Sequence, residues 1–234
     1  MSGHSKWKQI KHKKGAEDAK RSNQFTRLSH AISIAAKTGK GLDIAIDQAK
    51  KYNMPKENID RAIKRGTGEL AGAEIISTQY EAYASEGVGI IIQVLTDNKN
   101  RAVAEIKALL NKHGGKLASG GAVSYQFEEK GVIELKKDGQ TLSGEDLELI
   151  IIESGAKDYT VVDDMIYIYT EPKDLSIVKK NLIFKSLKIK DAQIQMNPKN
   201  YVQVTKEKKA SIIKLLEALE GLDDVEEVFT NADL

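Results

Sequence analysis

The chain reads as an α+β protein in three parts, on three observations. Up to about residue 75, apolar side chains recur at helical spacing without strand-like alternation. From about residue 76, short β-branched runs alternate with amphipathic helical stretches. Within residues 132 to 196 the order is a complete βαββαβ, whereas the stretch after Pro198 supplies a short strand, a helix and a last strand that need partners from earlier in the chain.

In the first part, Phe25, Leu28, Ile32 and Ala35 form one apolar stripe, and the helix is expected to stop at "KTGKG", where Gly39 and Gly41 suit a cap and turn. A second helix is expected through Leu42, Ala45, Ile46, Ala49 and Tyr52. The third begins at Pro55, buries Ile59, Ala62 and Ile63, and stops at Gly66. "YEAYASEG" and "VGIIIQVLT" then predict adjacent strands, "NRAVAEIKALLNKHGG" a helix with Val103, Ile106 and Leu110 inward, and "AVSYQFEE" a further strand. The βαββαβ stretch follows: "VIEL", the helix "GEDLELIIIES" capped near Ser143, "YTVV", a turn at Asp163 and Asp164, "MIYIYT", the helix "KDLSIVKKNLIFKSL", and "AQIQM". "YVQV", "KEKKASIIKLLEALEG" and "VEEVFT" close the chain, with "YVQV" as the third strand of the outer sheet and residues 79 to 85 as an extra first one. The predicted fold is thus a three-helix domain plus two ferredoxin-like α+β domains, one inserted in the other. Expected boundaries are 1–75, 76–130 with 200–234, and 131–199.

The net charge of +2 conceals a division along the chain. Residues 1–65 hold 16 Lys/Arg against 6 Asp/Glu, or +10; the rest hold 20 against 28, or −8. A basic segment on an acidic body reads as a polyanion-binding arm, because Lys and Arg that meet phosphates release condensed counterions. The leader "GHSKWKQIKHKKGAEDAKR" concentrates this: Lys6, Lys8, Lys11, Lys13, Lys14, Lys20 and Arg21 offer phosphate contacts. Trp7 either stacks on a base or staples the leader to the helical bundle, and His4 and His12 either help face phosphate or are solvated. With no cysteine, the chain has no disulfide framework, thiolate nucleophile or cysteine-ligated metal, and a reducing cytoplasm is expected. No apolar run approaches a membrane span, and the N-terminus has no apolar stretch of the kind that directs secretion.

A search for chemistry returns little. His4, His12, His30 and His113 have no partners at metal-site spacing, and no metal or other cofactor is expected. His30 is read as a helix-surface residue and His113 as a residue near a helix C-terminus. "HGGKLASGGAVS" resembles a phosphate cradle, but Leu117 follows Lys116 and the loop runs from helix to strand, so turn chemistry is preferred. Asp163 with Asp164, Glu128 with Glu129, and "DDVEE" are read as solvated turn or strand-flanking groups rather than as acid–base or metal sites. No nucleophile setting is present and no catalytic residue is assigned.

Several stretches resemble one known family. "GHSKWxxIKHxK" at 3–14, "MPKENIDRAIKRGTG" at 54–68, "YEAY", "LTDNKNRAVAEIK" at 95–107 and "KHGG" at 112–115 are similar, in order, to the YebC family, which includes the mitochondrial translational activator of cytochrome oxidase subunit one. The resemblance implies a helical N-terminal domain and two α+β domains, with no established catalytic residues. It makes His4, Lys6, Trp7, Ile10, Lys11, His12 and Lys14 the matching signature positions. Bacterial members are commonly named transcriptional regulators that bind promoter DNA. The mitochondrial branch and some bacterial relatives act on the ribosome, where they assist translation and relieve stalling at proline-rich stretches. This chain has only "KTGKGLDIAID" where relatives usually carry a longer loop with asparagine and proline. The expectation is a cytoplasmic, non-enzymatic regulator that binds DNA, or alternatively ribosomal RNA, through its basic N-terminal part, with a protein partner at the acidic domains.

Overall fold

A computed structural model of the chain describes residues 19–71, 74–138 and 144–234, with side chains from Gln24 onward. Three helices come first: α1 (Ala19–Thr38), α2 (Leu42–Lys51) and α3 (Lys56–Gly66). The expected stripes meet. Leu28, Ile32, Ala49, Met54, Ile59 and Ala62 form one buried cluster, with Phe25, Leu42, Ala45, Ile46 and Ile63 packed on it. Gly39 and Gly41 both have a φ of 68°, the left-handed conformation that turns α1 into α2. Tyr52 departs from expectation: it caps α2 and is exposed, because the helix ends one residue before it would face the bundle.

Gly66 does more than stop α3. A Cβ there would lie 2.2 Å from the Ser33 carbonyl oxygen and 2.8 Å from Ala36 Cβ. Beside it, the buried Ser33 hydroxyl donates to the Ala62 carbonyl at 2.8 Å. The pair sets a close crossing of α1 and α3 that a side chain would force apart.

Next come β1 (Ile76–Tyr83), β2 (Gly89–Thr96), α4 (Lys99–Lys112) and β3 (Lys116–Ala118). The βαββαβ order then runs β4 (Phe127–Lys136), α5 (Glu145–Glu153), β5 (Asp158–Val162), β6 (Met165–Thr170), α6 (Leu175–Phe184) and β7 (Ile189–Pro198). The chain closes with β8 (Val202–Gln203), α7 (Lys206–Glu220), β9 (Val225–Thr230) and β10 (Ala232–Asp233). Two compact units result: Phe127–Asn197, and the residues up to Gln126 together with Pro198–Leu234.

In the inserted unit the sheet order is β5-β6-β4-β7, the ferredoxin-like order expected of βαββαβ. The β4–β6 register places Val132 opposite Tyr169 and Ile133 opposite Ile168, so the buried residues alternate between the two faces. "AVSYQFEE" and "VIEL", expected as two strands, are a short 3₁₀ turn at Ser124–Gln126 followed by the single strand β4. Ser143, the expected cap of α5, lies outside the described residues; Gly144 occupies the N-cap.

The outer sheet is antiparallel in the order β3-β1-β2-β9. Here the α+β expectation holds, but two strand assignments change: the strand beside β1 is β3, from within the glycine-rich stretch read as a turn, and not "AVSYQFEE". "YVQV" contributes only β8, paired in parallel with β10 outside this sheet. The slot between β2 and β3, which a third ferredoxin strand would fill, is taken by β1. Within the outer unit, β2 is covered on both sides. Ile90, Ile92 and Val94 join a core with Ile106, Leu110, Ile212, Leu215 and Leu219 from α4 and α7, while α1 packs on β2 as well. Among the described residues, no helix is long and apolar enough to cross a membrane.

Replacing Gly66 with Val should lower unfolding stability by about 1–3 kcal/mol, the usual cost of overpacking, because a backbone carbonyl must yield. Urea denaturation of the variant against the parent measures it.

Candidate nucleic-acid interface

Most of the residues assigned to phosphate contact, His4, Lys6, Trp7, Lys8, Lys11, His12, Lys13 and Lys14, lie outside the described residues. Lys20 and Arg21 fall in the first turn of α1, where the backbone alone is described. Among the other charged residues, Arg27, Glu81, Arg101 and Asp224 are committed to contacts within the protein.

His30, read from sequence as a helix-surface residue, and its neighbour Arg27 both reach across to the outer unit's other elements. Arg27 Nη2 donates to the carbonyls of Glu220 and Leu222, the latter at 2.8 Å, at the end of α7. Burial pulls its pKa below the ordinary arginine value, while Glu220 and Asp223 act the other way. One turn further on, His30 Nδ1 lies 3.1 Å from the Leu95 carbonyl oxygen of β2. These contacts fasten the helical bundle to the sheet. No periodicity in the sequence reveals them, since both partners are more than sixty residues away.

"LTDNKNRA" is likewise structural. Asn98 caps α4 by accepting from the amides of Asn100 and Arg101, each at 3.1 Å. Thr96 Oγ1 accepts from the Asn98 amide at 2.9 Å. Arg101 grips Asp224 with Nε at 3.0 Å and Nη2 at 2.7 Å and also pairs with Asp97 one turn back. Asp224 is 5% exposed, so one carboxylate of "DDVEE" is a buried ion-pair partner and not a solvated group.

The glycine-rich loop gives the clearest result. Its amides do converge on an anion, and the anion is the protein's own. The Glu81 carboxylate of β1 accepts from the amides of Gly121 at 2.8 Å, Val123 at 2.5 Å and Ser124 at 3.0 Å. Glu81 is 5% exposed. Burial pushes its pKa up, but the three amides, with the Ser124 side chain, outweigh this and hold it below the ordinary glutamate value. The loop is a backbone nest closed by a carboxylate, so it offers no place for phosphate. Of the remaining candidates, Asp163 (φ 52°) and Asp164 form the exposed β5–β6 turn, Glu128 and Glu129 are exposed on β4, and His113 caps the C-terminus of α4. Among the described residues, no group of three or more His, Asp or Glu side chains is placed to hold a metal ion.

Exposed basic side chains on the bundle include Lys40 and Lys50 around α2 and Lys56, Arg61 and Lys64 on α3. They lie on the same domain as the basic leader. On α3 they are interleaved with exposed Glu57 and Asp60, so that helix carries mixed charge rather than a basic stripe.

Comparison with known proteins follows the same division of the chain. Residues 5–69 match the model of the TACO1/YebC protein N-terminal domain, and residues 75–232 match that of the TACO1/YebC second and third domain. The chain belongs to the TACO1/YebC family. It is 46% identical to a protein of Thermotoga maritima over all of this chain and 94% of that one. It is also 46% identical to one of Persephonella marina, over all of this chain and 96% of that one. Both carry the name probable transcriptional regulatory protein. The crystal structure of a conserved hypothetical protein from Aquifex aeolicus superposes with a TM-score of 0.83 at 43% identity, over 92% of this chain and 91% of that one.

Replacing Glu81 with Gln should destabilise the protein by about 1–3 kcal/mol at neutral pH, because an amide cannot accept from three converging donors as a carboxylate does. The folded-state pKa of Glu81 lies below its unfolded value, so its contribution is complete above the unfolded value and is lost as pH falls through the folded one. The difference between parent and variant, followed by urea unfolding at decreasing pH, should therefore shrink in acid.

Proposed function

We propose that this TACO1/YebC chain is a cytoplasmic, non-enzymatic regulator of gene expression that binds nucleic acid through its basic N-terminal part. The observation that carries this reading is the charge division: +10 over residues 1–65 against −8 over the rest. The described fold sharpens it. Arg27 and Arg101 are held in internal contacts, whereas the leader is basic by sequence and the bundle beside it exposes further lysines able to meet phosphate. We take residues 1–75 as the binding domain, with 76–130 plus 200–234 and the insert 131–199 as the bodies that space it or engage a protein partner.

The leading target is DNA, in keeping with relatives named probable transcriptional regulatory proteins. A second target, ribosomal RNA, is favoured by α3. A recognition helix in the major groove would present Arg, Asn and Gln to base edges at successive helical positions, whereas α3 exposes Glu57 and Asp60 between its lysines and arginine. A structured RNA surface requires no such helix and can be met by a basic arm with Trp7 as a stacking group. On that reading the protein is a ribosome-associated translation factor.

The two targets are separated by competition: labelled protein offered purified ribosomes and fragmented genomic DNA together at physiological salt. Retention of a restricted set of DNA fragments supports the transcriptional reading, and retention on ribosomes despite excess DNA supports the translational one. Replacing Lys11, Lys13 and Lys14 together with Gln should weaken either interaction while leaving the melting temperature nearly unchanged. For the parent protein on duplex DNA, log affinity should fall against log salt with a slope of roughly −3 to −6, and the variant's slope should be shallower. A parent slope near zero would refute an electrostatic arm.

A further inference from the structure

The helical face of the inserted unit exposes several large apolar side chains. On α5, Leu149 and Ile152 point outward beside Glu145 and Glu148, opposite the buried Ile151. On α6, Ile177 and Phe184 point outward on either side of Lys180, opposite the buried Leu175, Val178 and Leu182. Phe184 is 87% exposed, an extreme value for an aromatic ring on a folded helix.

The two helices carry opposite charge. α5 contains four acidic side chains and no basic one, whereas α6 contains two lysines and no acidic one, with Lys185 and Lys188 just beyond its end. The helices are neighbours: Asn181 Nδ2 donates to the Ser154 carbonyl at 3.1 Å and Lys185 pairs with Glu153 at 3.1 Å. One contiguous face therefore has an acidic, apolar half and a basic, apolar half.

We propose that this face binds a second copy of the same chain, with α5 of one copy against α6 of the other across a two-fold axis between the helices. A two-fold interface requires one patch to be complementary to itself, and a patch split into acidic and basic halves meets that condition. The rotation sets Glu145 and Glu148 against the lysines of the partner's α6 and brings the exposed rings and aliphatic chains of both copies together at the centre. A nucleic acid on the same face would meet the four carboxylates of α5, and an acidic lipid surface would be repelled by the same groups.

The test is sedimentation equilibrium of the full chain from low to high micromolar concentration. The wild type should pass from monomer to dimer across that range. Phe184→Glu should remain monomeric at the highest concentration with an unchanged melting temperature, since the ring makes little contact within its own chain. Glu148→Lys and Lys180→Glu should each dimerise at least tenfold more weakly than the wild type. Mixed in equal amounts, they should form a heterodimer, because that pairing alone restores both opposite-charge contacts. The proposal is overturned if the wild type is monomeric throughout, if Phe184→Glu dimerises like the wild type, or if the mixture stays as monomeric as its components. A monomeric wild type whose RNA retention is weakened by Phe184→Glu would overturn it in favour of a nucleic-acid surface.

Discussion

Strand β2 is the constraint on which the outer unit depends. Seven of its eight residues are buried, Gln93 alone being partly open, and a strand so apolar must be covered on both faces. One cover is the layer of α4 and α7, whose leucines and isoleucines meet Ile90, Ile92 and Val94. The other draws on the helical bundle: α1 lies on β2, with His30 against the Leu95 carbonyl and Arg27 at the end of α7. The domain that carries the basic leader is thus held to the sheet as part of its second cover.

The same constraint clarifies what the resemblance stretches do. "YEAY" supplies Glu81 to the glycine-rich loop, "LTDNKNRA" supplies the cap and ion pair at the start of α4, and "IKRG" supplies the close crossing of α3 on α1. Each of these has a mechanical role. The leader is the stretch whose composition points outward instead, with seven Lys or Arg, a tryptophan and little that a core could use.

Much of this fold was legible because it is local. Apolar spacing located all three bundle helices and the βαββαβ order, and glycine located the α1–α2 turn. What was not legible depends on distant pairings. The displacement of "YVQV" by β1 is decided by competition for one sheet position, in which an eight-residue strand with apolar residues on its inner face outweighs a two-residue one. The glycine-rich loop could be read as anion-binding or as a turn, and it is both, because the anion comes from forty residues earlier in the chain. Arg27 and Asp224 likewise look like surface charges until the partners that bury them are known. Of the candidate site itself, sequence provides the charge and the aromatic, and the fold contributes by showing which other charges are already engaged.

The two points at which the chain leaves and re-enters the outer unit are adjacent: the Lys199 amide donates to the Gln126 carbonyl at 2.8 Å, and Lys199 Nζ reaches the Tyr125 carbonyl at 3.0 Å. To the outer unit, the seventy-one residues between them amount to a loop whose ends are already joined. Closing such a loop costs little more entropy as it lengthens, so the insert could grow, shrink or be exchanged for another domain with little effect on the sheet it interrupts. The acidic and basic helices sit on a part of the protein that evolution can alter independently of the part that holds the leader.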